Sequence, residues 1–314
     1  MKTETQIFKT KQYADSHQTE QKIHVEGHTK PVTRSFLQAK ILTEKFLNNE
    51  NARILDIGCF DGRLLDELDG MLSNADLWGF DINPYLESWF PRKDNFHFIS
   101  TDIGNMAGLF DLIILSHSIL YIPNQSELMS SINRILKNDG ILFIQIPNVF
   151  INPYYLLMGD QSIIFTETSL KNVLGKFGYK VDVIKCDYFP RELLISAKKN
   201  ELGSLDSYEE SNLFEENIET INHVKKQLGN IKGKNLTVLG TTVNAAFVDE
   251  IMEGKIKFFV DENLSESKST FRAKKVFSPK VLNSTNHTIL PFGESGIKIQ
   301  ERFEKLYGGR YTVV

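Results

Sequence analysis

After a polar stretch over residues 1–30, apolar positions begin to recur at helical spacing, with Phe36, Ile41, Leu42, Phe46 and Leu47 predicting a helix that ends near Asn48. The period then changes. Residues 53–57 form a short apolar run that meets Gly58 and gives way to a helical pattern through Leu64, Leu65 and Leu68, which reads as strand, glycine turn, helix. The alternation continues: a strand at 77–80, a short helix at 84–90, strands at 96–100 and 111–116, a helix over 125–137, and a turn at 138–140 leading into a strand at 141–146. A helix over 165–179 with Thr166 as N-cap, then strands at 180–186 and 192–197 pairing antiparallel, close the pattern. Strands that alternate with helices build a mostly parallel sheet.

Residues 200–210 are polar and acidic, while Leu213, Ile218, Ile221, Val224 and Leu228 share one helical face, so this segment predicts a bridging helix. A second βαβ pattern follows, with a strand at 236–239, Gly240, a helix through 245–252 and a strand at 256–260, and then a strand near 287–290 and a helix near 297–307. The expected fold is α/β in two domains: residues 1–199 with a seven-stranded, mostly parallel sheet under a helical cap, a bridge over 200–232, and a smaller Rossmann-like domain at 233–314.

Length and composition agree with two packed cores: 314 residues, 41% hydrophobic and 24% charged. The 36 Lys and Arg against 40 Asp and Glu leave a net charge of −4 and no basic block, which disfavours a duplex nucleic-acid partner. The most apolar stretches, around 109–122 and 140–159, are interrupted by polar residues and prolines, so no membrane-spanning segment is expected. The two cysteines, Cys59 and Cys186, and an N-terminus without an apolar signal core predict a cytoplasmic location.

The chemistry concentrates at Asp56-Ile57-Gly58-Cys59-Phe60-Asp61-Gly62, directly after a buried strand and opening a helix. Such a glycine turn lets a ligand approach the backbone and the helix N-terminus. The next strand ends in Asp81, at the spacing of an acidic residue that accepts from both ribose hydroxyls. The third ends at Asp102, whose carboxylate would meet the exocyclic amine of an adenine held between Ile82 and Ile103.

In their order and spacing, ILDIGCFDGRLL, GFDINP, STDIGNM, FDLIILSHSILYIPN and INRILKNDGILFIQIPN resemble the class I S-adenosylmethionine-dependent methyltransferases over about residues 50–200. The resemblance implies that Asp56, Gly58, Cys59, Asp61 and Gly62 shape the loop around the methionine end of S-adenosylmethionine. It also implies that Asp81 holds the ribose, that Asp102 with Ile82 and Ile103 meets the adenine, and that Ser116 and His117 flank the sulfonium. Phe60 stands where the commonest form of the loop has glycine. Cys59 is expected to pack as a small apolar residue. For removal of an acceptor proton the candidates are His117, Tyr121 and His28, although a base is useful and not obligatory. The alternative for His117 is a structural histidine satisfied by backbone.

Residues 233–314 resemble the appended Rossmann-like domain of sugar C-methyltransferases, and Gly240 with Asp261 could frame a second nucleotide crevice or only serve assembly, for example as a homodimer. Those enzymes carry a His-Glu-His element where this chain reads 160–167 without histidine. The expected acceptor is therefore a small polar molecule, a sugar or nucleotide-sugar, methylated on oxygen or nitrogen, with C-methylation as the alternative. His17, His24 and His28 have no partner residues at zinc-like spacing, so no metal is expected. Readings of another class are a nicotinamide oxidoreductase, which Gly58-Cys59-Phe60 disfavours by breaking G-x-G-x-x-G, and a non-catalytic nucleotide-binding or assembly module.

Overall fold

A computed structural model of the chain describes residues 9–11, 21–25, 30–47, 51–200, 212–233, 235–264 and 269–314, which form two compact units. The first comprises 1–147 and 160–209, the second 148–159 and 210–314.

In the first unit, a two-residue pair β1 (Lys22–Ile23) and β2 (Val32–Thr33) precedes helix α1 (Arg34–Phe46), whose N-cap Thr33 accepts the Phe36 N–H. The chain continues through β3 (Arg53–Ile57), α2 (Arg63–Met71), β4 (Asp76–Phe80), β5 (Phe96–Ile99), β6 (Phe110–Ser116), α3 (Gln125–Ile135), β7 (Leu136–Pro147), α4 (Glu167–Lys176), β8 (Tyr179–Val183) and β9 (Glu192–Lys199). The seven strands order as β5-β4-β3-β6-β7-β9-β8, and all pairs are parallel except β7 with β9 and β9 with β8. This is the sheet that the alternating pattern predicts.

Because β3 to β7 are covered on both faces, their residues are apolar almost throughout. On one face Leu55, Ile57, Ile113 and Leu115 pack with Leu128 and Ile132 of α3 and Leu170 and Leu174 of α4. On the other, Ile54, Leu112 and Ile114 pack with Leu37 and Leu42 of α1 and with Leu64, Leu65 and Leu68 of α2. Burying one such side chain contributes about 1.5–3 kcal/mol, so these residues fix which face of each helix turns inward. Strand order reverses at β3, with β4 and β5 on one side and β6 and β7 on the other. A reversal of this kind opens a crevice at the carboxyl ends of the central strands.

Two local expectations are corrected. Helix α3 ends at Ile135 and β7 begins at once, because Leu136 pairs with Phe110 and the residues before Ile141 bulge out of register. The short helix at 84–90 is a 3₁₀ stretch, Pro84–Ser88, opened by Asn83, whose side chain accepts the Tyr85 N–H.

The second unit contains α5 (Leu213–Asn230), β10 (Leu236–Leu239), α6 (Val243–Ile251), β11 (Ile256–Val260), β12 (Thr270–Phe271), β13 (Lys274–Phe277), β14 (His287–Leu290), α7 (Ser295–Leu306) and β15 (Arg310–Val313). Its strands order as β12-β13-β11-β10-β14-β15, all parallel but for β12. Residues 148–159 belong to this unit although the sequence places them inside the first domain: Tyr154 is buried with Val224, Leu228 and Val248 and meets the Phe247 ring at 5.5 Å. At the start of α6, the Asn244 side chain donates to the carbonyl of Pro291. Asp261, just past β11, accepts from the Thr241 hydroxyl and from the Asn263 N–H, and the Gly240 N–H donates to the carbonyl of Val260. Among the described residues no helix is long and apolar enough to cross a membrane, and no group of three metal-ligating side chains comes together.

Candidate active site

The turn after β3 is held in shape by its backbone. The N–H groups of Gly58 and Cys59 both donate to the carbonyl of Phe80, and Gly62 donates to that of Cys59. Gly58 (φ +82°) and Gly62 (φ +78°) are left-handed, and a side chain at Gly58 would lie 2.4 Å from the Ser118 Cβ. Phe60 adopts φ +51°, the conformation of the glycine that is common there. A bulky residue in that region is strained. Gly62 caps α2 with no side-chain bond, while Asp61 accepts the Arg63 N–H and pairs with the Arg63 guanidinium at 2.8 Å.

Asp56, the fourth residue of β3, is 3% exposed and its Oδ1 has no hydrogen-bond partner among the described residues. Burial pushes its carboxyl up to about 7, and the nearby Asp81 carboxylate adds to the effect. Asp81 lies just past β4. Its Oδ2 accepts the Phe60 N–H at 3.1 Å and its Oδ1 the Asn83 N–H at 2.9 Å, so it ties two loops together. Burial raises its carboxyl, and those two N–H donors oppose the rise. Each carboxylate oxygen still has a further lone pair to offer a hydroxyl. Cys59 is buried, its thiol raised by burial and by Asp56, Asp81 and Asp61. That suits a packed thiol and not a nucleophile.

Asp102 caps the 3₁₀ turn Ile103–Asn105 by accepting the Gly104 N–H, and it is exposed, whereas Ile103 is buried and Ile82 packs beside the same apolar cluster. Tyr121 also packs against that cluster, from the 3₁₀ turn Ile119–Tyr121. His28 lies outside the described residues.

At the end of β6 the structure assembles a polar network. Like Phe60, His117 is a non-glycine residue with a left-handed φ (+59°), and its N–H donates to the carbonyl of Gln145. Its Nε2 lies 2.7 Å from Nη2 of Arg34 and 3.1 Å from Oε2 of Glu192. Arg34 grips Glu192 with both terminal nitrogens, at 2.7 and 2.5 Å, and stacks 4.8 Å over the Phe189 ring. Gln145 donates to Glu192 at 2.6 Å, and Gln38 donates to Gln145 and to the hydroxyl of Ser116. Burial alone would raise the Glu192 carboxyl, but the Arg34 guanidinium holds it well below the usual carboxylate range.

Topology explains the gathering. Because β9 runs antiparallel to β7, its first residue Glu192 pairs with Pro147, the last of β7, and so reaches the carboxyl edge of the parallel strands. Arg34 and Gln38 stand four residues apart on one face of α1. Sequence reasoning missed Arg34, Gln38, Gln145 and Glu192. Gln38, polar amid Leu37, Ala39, Ile41 and Leu42, and Gln145, polar amid Phe143, Ile144 and Ile146, carried a local signal.

A family described as a methyltransferase domain matches residues 33–183. Among curated proteins, trans-aconitate 2-methyltransferase of Deinococcus radiodurans is 24% identical over 98 residues, 31% of this chain, and the match spans only 38% of that relative's length. Among solved structures, a plantazolicin methyltransferase in complex with a substrate analogue and S-adenosylhomocysteine overlaps 53% of this chain and 82% of its own, at 18% identity and a TM-score of 0.45. A methyltransferase of calicheamicin biosynthesis with S-adenosylhomocysteine bound overlaps 52% and 54%, at 11% identity and a TM-score of 0.44. With the family match, the sheet order and the glycine turn together, residues 33–183 are a methyltransferase domain of the class I, S-adenosylmethionine-dependent kind.

Proposed function

We propose that the chain transfers the methyl group of S-adenosylmethionine to oxygen or nitrogen of a small polar acceptor, with a sugar or nucleotide-sugar as the leading class. The cofactor supplies an electrophilic methyl on a sulfonium whose departure drives the transfer, so the protein chiefly has to bind and orient two molecules. The observation that carries this reading is the buried Asp56 with an unpartnered oxygen, beside a turn whose three left-handed residues, Gly58, Phe60 and Gly62, open the backbone toward it.

The residues fit that cofactor. Asp56 and the N–H groups around Gly62 would face its amino-acid end, Asp81 its ribose hydroxyls, and Asp102 with Ile82 and Ile103 its adenine. Ser116 and His117 would flank the sulfonium, with Tyr121 behind them.

A second reading concerns the acceptor. The match to a trans-aconitate methyltransferase, together with the Arg34 contact on His117, favours a small carboxylate, which arrives ionised and needs no base. Calorimetry tests the function: S-adenosylhomocysteine binding at micromolar strength is expected. Binding of a nicotinamide dinucleotide in its place supports an oxidoreductase, and binding of neither supports an assembly module.

A further inference from the structure

The contact between Arg34 and His117 bears on which ring nitrogen carries the proton. A guanidinium has five N–H donors and no acceptor. Nε2 accepts from Nη2 at 2.7 Å only if it carries no proton, whereas the Glu192 carboxylate at 3.1 Å would need a proton there, and the shorter contact favours Nε2 as the acceptor. With Nε2 accepting, the single proton of the neutral ring sits on Nδ1. Glu192 lies farther from Nε2, at 3.1 Å, and already accepts from Arg34 and Gln145. No described residue bonds Nδ1, and the side chain keeps 31% of its surface exposed.

We propose that Arg34 is a positioning residue that fixes His117 as its Nδ1–H tautomer, so that His117 donates a hydrogen bond to the acceptor instead of removing its proton. The inference rests on the methyltransferase reading of this site and deepens it. Of the two acceptor readings it favours the second, a carboxylate, which presents a lone pair and has no proton to lose to His117. In the transfer the carboxylate oxygen forms the new bond to the methyl carbon as the carbon–sulfur bond breaks, and the electron pair goes to sulfur. An ester and neutral S-adenosylhomocysteine result with no proton moved. Glu192 anchors the guanidinium from its other edge, and the left-handed backbone at His117 aims the ring into that grip.

The test reads the tautomer directly. Nitrogen–proton correlation spectra of the histidine side chains are recorded on the full-length chain at about pH 8, where an ordinary imidazole is neutral. His117 is assigned by the signals lost in His117→Gln. The Nδ1–H pattern is expected in the unsubstituted protein. It should persist in Glu192→Gln, which leaves the Arg34 donor in place, and be lost in Arg34→Gln. An Nε2–H pattern in the unsubstituted protein overturns the inference by itself, whether or not either variant folds, because Glu192 would then be the partner and His117 a base. Loss of the Nδ1–H pattern in a folded Glu192→Gln, or its persistence in a folded Arg34→Gln, overturns the role given to Arg34. S-adenosylhomocysteine binding is measured on the same samples. Absent binding with an Nδ1–H ring removes the proposed function and spares the tautomer, and tight binding with an Nε2–H ring does the reverse.

Discussion

Replacing Asp56 with Asn tests whether a buried carboxyl beside Asp81 is held protonated by its surroundings. Its pKa rises from 3.8 to about 7, with burial as the main cause and Asp81 as the second. Each pKa unit corresponds to about 1.4 kcal/mol, so at high pH the ionised Asp56 costs the fold about 4 kcal/mol. The sign follows from proton counting. Between pH 4 and 7 the folded chain holds a proton here that the unfolded chain has released, so stability falls as pH rises, and the loss levels off above 7. Asparagine mimics the protonated carboxyl at every pH. Asp56→Asn should therefore gain on the natural protein by about 2–3 kcal/mol between pH 5 and pH 7, while contributions from all other groups cancel in the difference. Both tryptophans, Trp78 and Trp89, lie in the first unit, so urea unfolding followed by tryptophan fluorescence reports this domain. A stability difference between the two proteins that stays constant across that range would refute the argument.

Three further outcomes follow from the same geometry. Asp81→Ala removes an ionised acceptor for two ribose hydroxyls and should weaken S-adenosylhomocysteine binding at least about tenfold by calorimetry, since that takes only about 1.4 kcal/mol; an unchanged affinity would leave Asp81 as a tie between the Phe60 and Asn83 loops. Gly58→Ala forces a side chain into φ +82° and against Ser118, so it should cost about 1–3 kcal/mol of stability and reduce cofactor affinity, with wild-type values for both counting against the turn as drawn. Glu192→Gln leaves the mostly buried Arg34 guanidinium without its counter-charge and should destabilise the first unit by about 3 kcal/mol in the same urea assay; no change would mean that the pair is solvated.

The sequence by itself determined the layout of the first sheet and the placing of the glycine turn and Asp81 just past neighbouring strand ends. Strands such as Arg53–Ile57 and Phe110–Ser116 are buried on both faces, so their apolar runs are unambiguous, and the glycine turn and Asp81 follow strand ends within one βα unit. Local order is enough for such features. It was not enough for the short strands toward the two ends of the second sheet. Thr270–Phe271, Lys274–Phe277 and Arg310–Val313 carry too few apolar residues for their period to show, and only pairing with neighbours defines them. Nor could it show that 148–159 packs with the second unit, since an exchange of partners leaves no trace in periodicity. The polar network around His117 was decided by tertiary structure alone. His117 was legible because it follows a buried strand, but the Arg34–Glu192 pair beside it joins residues 158 positions apart, and Glu192 arrives there through an antiparallel register. A ring nitrogen's role depends on what stands within hydrogen-bond reach of it, and no spacing along the chain encodes that distance.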